Sequence, residues 1–360
     1  MNRPLSITIL FFLLLCSAAA QESSPLKISG YMMGDLYYNA VRDTAIAGMS
    51  NLAAGGARDL NGFQFRRIYL TFDNTISSTF VSRFRLEGTT GAPTIKDAYL
   101  QWKGIFRGSD LFFGIQPTPA FEVSEGYWGY RSLEKSSLDL RGVVASRDLG
   151  ISLKGKITDD GMVRYWVLYG NNSGVNAETD KYKRLYGHID LKPTEEVRMT
   201  FYADYKMLAR INDPNSTSIP KATLGTDVLT TAFFAGYAEE QSLSIGAEVF
   251  YQTAPNGYLH GTAPVIAEAK DAVGISLFGH TRLSEELRAV CRYDYYDPNS
   301  SASHDVRHYL LAGLHWAADP RVAVIPNIQA ESYESVPSGS GTRSVTPSVT
   351  ARVTVHYIFL

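Results

Sequence analysis

The chain has 360 residues, 45% of them hydrophobic and 19% charged, with 30 Gly and 22 Tyr. That composition excludes collagen and disorder and fits either two ordinary soluble domains or one large barrel. With 34 Lys and Arg against 36 Asp and Glu the net charge is −2, and neither sign forms a long block, so a surface that tracks nucleic-acid phosphates is excluded.

The first informative segment is the N-terminus. Asn2-Arg3 is a short positive stretch, Ile7 to Leu15 an apolar one, and Ala18-Ala19-Ala20 a small-residue cleavage site before Gln21. This is the pattern of a secretory signal peptide, so residues 1–20 are set aside and 21–360 are read as one domain. Bulky Leu15 before Cys16 argues against lipoprotein processing. Cys291 is then the one remaining cysteine, which excludes an intrachain disulfide. No second apolar run reaches about 18 residues, so helical membrane spans are excluded as well.

What the chain does contain is alternation. Ile68, Leu70 and Phe72 interleave with Arg67, Tyr69 and Thr71, and in a strand those two sets face opposite ways. The same pattern predicts strands at 26–38, 62–74, 79–89, 95–104, 109–116, 146–156, 161–170 and 183–192. It predicts further strands at 197–207, 228–238, 242–252, 271–281, 286–296, 306–317, 321–332 and 344–359. The runs reach about 10 residues, the length of membrane strands rather than of an average soluble strand. Their polar faces carry Arg, Asp and Glu, which a water-filled lumen tolerates and a protein core does not.

Short polar turns such as Lys192-Pro193-Thr194-Glu195 and Leu283-Ser284-Glu285 follow the even strands, and most odd strands lead into longer loops. That asymmetry fits a barrel with one rim of tight turns and one of long loops. The fold class is therefore all-β: a transmembrane antiparallel up-and-down β-barrel of about 16 strands. Weak patterning around Phe233-Phe234 and at Gly274 and Gly279 leaves 14 or 18 as the alternatives. The pairs Tyr37-Tyr38, Tyr165-Trp166 and Tyr295-Tyr296 are read as interface girdles.

The stretches FRRIYLTF (65–72), IKDAYLQW (95–102), LFFGIQPTPAF (111–121), YRSLEKSSL (130–138) and RYDYYDPN (292–299) resemble the outer-membrane porins grouped with the phosphate-selective porins. The resemblance implies a trimeric 16-stranded barrel whose third long loop, here about 117–145, folds inward and narrows the pore. Phosphate-selective members carry a Lys-rich constriction, whereas this loop offers Arg131, Lys135 and Arg141 against Glu122, Glu125, Glu134 and Asp139. Phosphate selectivity is accordingly not carried over. The C-terminus departs too, because Phe359 is followed by Leu360 rather than ending the chain.

The parity of the strands places Arg67, Arg83, Arg85, Lys154, Arg184, Arg198, Arg288, Arg292 and Arg352 in the lumen. It places Glu87, Asp97, Asp190, Asp204, Glu248, Asp294 and Glu331 beside them. Arg67, Arg83 and Arg85 form a candidate anion ladder, and cross-strand pairing for stability is the competing reading. The candidate constriction is Glu122, Glu125, Tyr127, Arg131, Glu134 and Lys135, facing a wall of Arg67, Arg83, Arg85 and Asp97.

No G-x-S-x-G, H-E-x-x-H or P-loop motif occurs. The seven histidines show no common neighbourhood in the sequence, and His304 and His308 would lie about 13 Å apart on extended chain. Asp297 and Asp305 offer loop oxygens for Ca²⁺, against simple solvation. The expected function is an outer-membrane porin passing small hydrophilic solutes or ions with a weak anion preference. It would have lipid around it, no catalytic residues, no metal and no cofactor. A barrel enzyme of the lipase or protease type is one alternative; a closed transporter or surface anchor is the other. Gln21 to Pro25 are too few to plug the barrel.

Overall fold

The computed structural model describes residues 26–43, 57–240, 242–338 and 341–360. The expected signal peptide, the Gln21–Pro25 lead and residues 339 and 340 of the last long loop lie outside them. Sixteen strands close into one antiparallel barrel. The first half consists of β1 (Lys27–Val41), β2 (Asn61–Thr75), β3 (Phe80–Gly88), β4 (Thr94–Phe106), β5 (Ser109–Pro117), β6 (Arg147–Lys156), β7 (Val163–Gly170) and β8 (Arg184–Leu191). After β9 (Val197–Lys206), the pair β10 (Ile211–Asn212) and β11 (Thr223–Leu224) forms a small hairpin outside the barrel. The wall resumes with β12 (Val228–Glu239), β13 (Leu243–His260), β14 (Ile266–Arg282), β15 (Leu287–Asp297), β16 (Arg307–Asp319) and β17 (Val322–Tyr333). A second small hairpin, β18 (Val336–Ser338) with β19 (Gly341–Arg343), precedes β20 (Ser348–Ile358), which pairs with both β17 and β1. Closure removes the sheet edges that an open sheet would expose.

The alternation is inverted relative to a soluble protein. Phe201, Leu277, Leu310 and Leu314 are among the exposed residues, whereas Arg292, Asp294, Gln329 and Thr354 are buried inside. An apolar exterior and a polar interior on one set of strands match a lipid-facing wall around water. Among the described residues no helix is long and apolar enough to cross a membrane.

Two expectations are corrected, and the alternative strand counts fall away. Residues 253–270 are not a free loop: β13 and β14 continue as a projecting hairpin, with Tyr258 opposite Glu268 and His260 opposite Ile266. Pro255 and Gly257 look like turn residues, but the register shift between Ala254 and Tyr258 absorbs them as a bulge. The girdle reading fails for Trp166 and Tyr296, because adjacent residues of a strand face opposite ways. Trp166 is buried in the lumen under the Lys154 ammonium, and Tyr296 packs inward against Phe250. The count of 14 or 18 is also set aside. Gly274 weakens the strand pattern because a Cβ there would lie 2.0 Å from the Phe250 ring, so glycine makes room for an inward aromatic.

The segment between β5 and β6 carries α1 (Glu122–Trp128), ended by Gly129 at φ 65°, and the single turn α2 (Ser137–Leu140). It packs against the inner faces of β12 to β17 through one cluster of Val123, Trp128, Tyr130, Leu133, Phe234, Phe278 and neighbours. A second cluster joins Phe121, Leu138, Val143 and Val144 to Leu168, Tyr186, Tyr202 and Phe250. The hydrophobic core thus lies inside the barrel, leaving the polar lumen against β2 to β6 and against the short-turn ends of β7 to β9.

Candidate pore lining

The segment is pinned to the wall by side chains that satisfy its backbone. The Trp128 indole donates to the Glu134 carbonyl at 2.9 Å and packs edge-on to Phe278. Ser244 donates to the Tyr127 carbonyl at 2.8 Å, and Ser124 to Glu248 at 3.2 Å. From the wall, Arg66 donates to the carbonyls of Ser132 and Leu133, and Arg292 to that of Lys135. Arg141, on the segment itself, is buried in an ion pair with Glu331 at 2.5 Å. Buried carbonyls left without such donors would cost free energy, so these contacts hold the segment in one place.

Opposite the segment stands a wall of ion pairs. Arg83 makes a bidentate contact with Asp73 at 2.6 and 2.9 Å. Arg85 lies 3.3 Å from Asp97, which Arg147 also contacts. Glu87 receives Arg67 at 3.3 Å, Lys96 at 3.1 Å and the Tyr69 hydroxyl at 2.5 Å. Arg184 pairs with Asp204 and Arg198 with Asp190 along the same wall, whereas Arg292 pairs with Asp294 on the face against which the segment packs. Arg67, Arg83 and Arg85 are therefore each paired with a carboxylate.

Two β-bulges load this wall. Opposite β1, Met33 pairs with Arg67 and Gly34 with Phe65, so Arg66 is an extra residue. Opposite β3, Arg85 pairs with Asp97 and Leu86 with Ile95, so Lys96 is extra. A bulge lets neighbouring residues share a face. Arg66 and Arg67 both reach inward carboxylates, as Lys96 and Asp97 both reach inward partners. Strict parity missed Arg66 and Lys96, but a phase slip betrays them. Outward Phe63 and Phe65 give way to Ile68 and Leu70, and Ile95 gives way to Ala98 and Leu100.

Between segment and wall lie connected cavities. One of about 410 Å³ is bordered by Arg83, Glu122, Glu125, Arg147 and Lys154, and Glu122 meets Lys154 across it at 2.6 Å. A neighbouring one of about 420 Å³ adds His188, Asp190 and Arg198. Toward the long-loop rim, Arg66, Arg67, Arg131, Glu134 and Lys135 border a space of about 320 Å³. Of the sequence-predicted residues, Tyr127 turns away: its ring packs on Phe234 and its hydroxyl donates to the Glu196 carbonyl. Asp97 is fully buried behind Arg85 and Arg147. Burial works to lower the Arg131 guanidinium, but Glu125 and Asp139 outweigh it and hold it above its ordinary value.

His304 bonds Ser335 at 3.0 Å, whereas His308 bonds Tyr293 at 2.8 Å; they share no partner. Asp297 accepts the Asn299 amide in a local turn. Among the described residues, no group of three or more His, Cys, Asp or Glu is arranged to hold a metal ion.

Neither a protein-family model nor a curated protein sequence matches this chain. Solved structures do match in shape. The trimer form of OmpT, an outer-membrane protein of Vibrio cholerae, is 12% identical with a TM-score of 0.62, covering 94% of this chain and 100% of its own. The anion-selective porin from Comamonas acidovorans is 13% identical with a TM-score of 0.64, covering 93% of this chain and 100% of its own. The outer-membrane channel DcaP of Acinetobacter baumannii is 12% identical with a TM-score of 0.65, covering 94% of this chain and 98% of its own. At these identities the shared feature is the fold, a porin-type 16-strand barrel.

Proposed function

We propose that the chain is an outer-membrane diffusion pore for small hydrophilic solutes and ions, with a weak preference for anions. It would work as a trimer, and its mature form would begin after residue 20. The observation that carries the pore reading is the inverted pattern, an apolar exterior around a charged lumen narrowed to one side by the β5–β6 segment. Flux through such a pore follows the solute gradient, with size exclusion at the segment and electrostatic bias from the wall. Trimer formation and the cleaved leader are supported by the resemblance and the N-terminal pattern.

The anion preference is supported by how the wall pairs are layered. Side-chain exposure is 20% for Arg85 against 0% for Asp97, and 28% for Arg198 against 5% for Asp190. In these two pairs the cation stands in front of its carboxylate, so an ion passing them meets the positive member first, and low-dielectric walls focus that field. Phosphate selectivity is no part of the proposal, because Arg131 is already committed to Glu125 and Asp139.

The test is single-channel conductance of the refolded mature chain in a planar bilayer, with a reversal potential under a salt gradient. Stepwise conductance with an anion-directed potential is expected. A folded, inserted barrel that passes no current would overturn the pore, and a cation-directed potential would overturn the preference alone.

A further inference from the structure

Three of the histidines come together in the fold. His280 of β14, His315 of β16 and His356 of β20 border one cavity of about 390 Å³ between the β5–β6 segment and the short-turn rim. That volume lies within the range of small-molecule sites. Arg288 of β15 joins them, directly opposite His315 in the register. Tyr130 closes the cavity from the segment: its hydroxyl lies 3.0 Å from His315 Nδ1, and its ring stands edge-on to both His280 and His315. Tyr31 of β1 leans on His356 at 5.5 Å.

The charge here is one-sided. No carboxylate borders the cavity, in contrast to every other lumen space described above. Arg131 also borders it but is spent on Glu125 and Asp139. Arg288 makes no ion pair with a carboxylate among the described residues; its neighbours are Tyr130 and the rings of His280 and His315. The remaining side, from β1 and β17, is apolar, with Met33, Ala323 and Ile325. A guanidinium without a counterion, ring N–H donors beside it and an apolar face opposite are the complement of one chemical class.

We propose that this cavity binds a small organic monocarboxylate, its carboxylate received by Arg288 and the histidine rings and its apolar body laid on Met33, Ala323 and Ile325. The guanidinium supplies the planar fork that a carboxylate matches, and protonated rings add charge without a competing acid. Binding strengthens on acidification as the rings take up protons, because Tyr31, Tyr130, Arg131 and Arg288 are the other titratable groups facing the rings and none of them gains negative charge there.

The probe is sodium benzoate, titrated calorimetrically into the folded, detergent-solubilised barrel, with benzamide as its uncharged counterpart. Benzoate is expected to bind more tightly at about pH 5 than at about pH 8, and benzamide not to bind measurably. Arg288→Gln should weaken benzoate by at least about tenfold, the lower end of what a charge-assisted hydrogen bond contributes. His280→Asn with His315→Asn should flatten the pH dependence. Should Arg288→Gln fail to refold, Arg288→Lys, which keeps the charge but loses the fork, is expected to bind with intermediate affinity. Equal binding of benzoate and benzamide, or equal weakening by Arg83→Gln on the opposite wall, would overturn the site. The measurement needs only a folded barrel, so a channel that conducts without binding benzoate fails this proposal alone, and one that binds without conducting fails only the pore reading.

Discussion

Arg66 and Arg67 are neighbours in the chain, yet both guanidiniums point into the barrel, Arg66 onto Asp35 at 2.6 Å and Arg67 onto Glu87 at 3.3 Å. The bulge in β2 makes this geometry available, and Arg66 uses it to grip the β5–β6 segment as well as the wall. The Asp35 side chain is fully buried, with Thr354 as its other partner. Arg66→Ala would leave that carboxylate without its cation, at a cost of about 3 kcal/mol or more, since a buried pair broken on one side strands a charge. Urea unfolding of the refolded barrel should show the loss, and adding Asp35→Asn should recover part of it. An unchanged midpoint in Arg66→Ala would mean that the pair contributes nothing net.

The segment's main apolar anchor is Trp128, which is 1% exposed among Phe278, Tyr130 and Leu133. Its removal costs about 3–5 kcal/mol where it acts, as for other buried Trp to Ala changes. The strand ladders close without it, so the expected effect of Trp128→Ala is local. The barrel's global unfolding free energy should stay within about 1 kcal/mol of the parent, no more than the centre of the distribution for point changes. Trypsin should then cut the folded protein at Arg131 or Lys135, which the parent protects. Parent-like resistance in the variant would show that the backbone contacts from Ser244, Arg66 and Arg292 suffice.

Sixteen strands were legible because a wall with an apolar outer face and a polar inner face writes its period into every strand. The bulges at Arg66 and Lys96 were legible too, as slips in that period, but only to a reading that allows the phase to change within a strand. The hairpin beyond Thr253 was hidden by Pro255 and Gly257, which mark turns in most contexts and here sit in a bulge. The cluster of His280, His315 and His356 had no local signal at all. Its members lie on β14, β16 and β20, and their meeting depends on barrel closure at β1 and on the route of the segment that carries Tyr130. The ladder of Arg67, Arg83 and Arg85 could be placed by parity, whereas the depth of each partner carboxylate could not.

That depth makes the half-exposed acids of α1 the more telling test of selectivity. Glu122 reaches Lys154 and Glu125 reaches Arg131, and both border the open lumen. Changing both to Gln removes negative charge from the passage and frees the Lys154 ammonium, while Asp139 keeps Arg131. A unit charge about 4 Å from a passing ion in a water-like medium is worth ~1 kcal/mol, which corresponds to about a fivefold change in local ion preference. The reversal potential of the double variant should move toward anions by that order and shrink in high salt. No movement would place the selectivity elsewhere in the lumen.

On the long-loop rim, Asp305 offers a pH-dependent handle away from the barrel strands. Burial holds its carboxyl above the ordinary value, and the nearby Asp297 and Glu334 push the same way. The loop here is tied to its neighbour by the Glu334 amide donating to the Val306 carbonyl at 3.1 Å and by the Val306 amide donating to Glu334 at 3.4 Å. A carboxyl raised in the folded loop binds its proton more tightly there than in the opened loop. The stabilisation is therefore present below the ordinary carboxylate range and is lost as pH rises through the raised value. Hydrogen exchange at Val306 and Glu334, corrected for intrinsic rates and followed from about pH 4 to about pH 7, should show protection falling over that interval. Asp305→Asn, which carries no charge to repel Asp297 and Glu334, should hold the protection level across it. A parent profile already flat would mean that solvent screens the three carboxylates from one another, and that the two hydrogen bonds between Val306 and Glu334 alone set the stability of this rim.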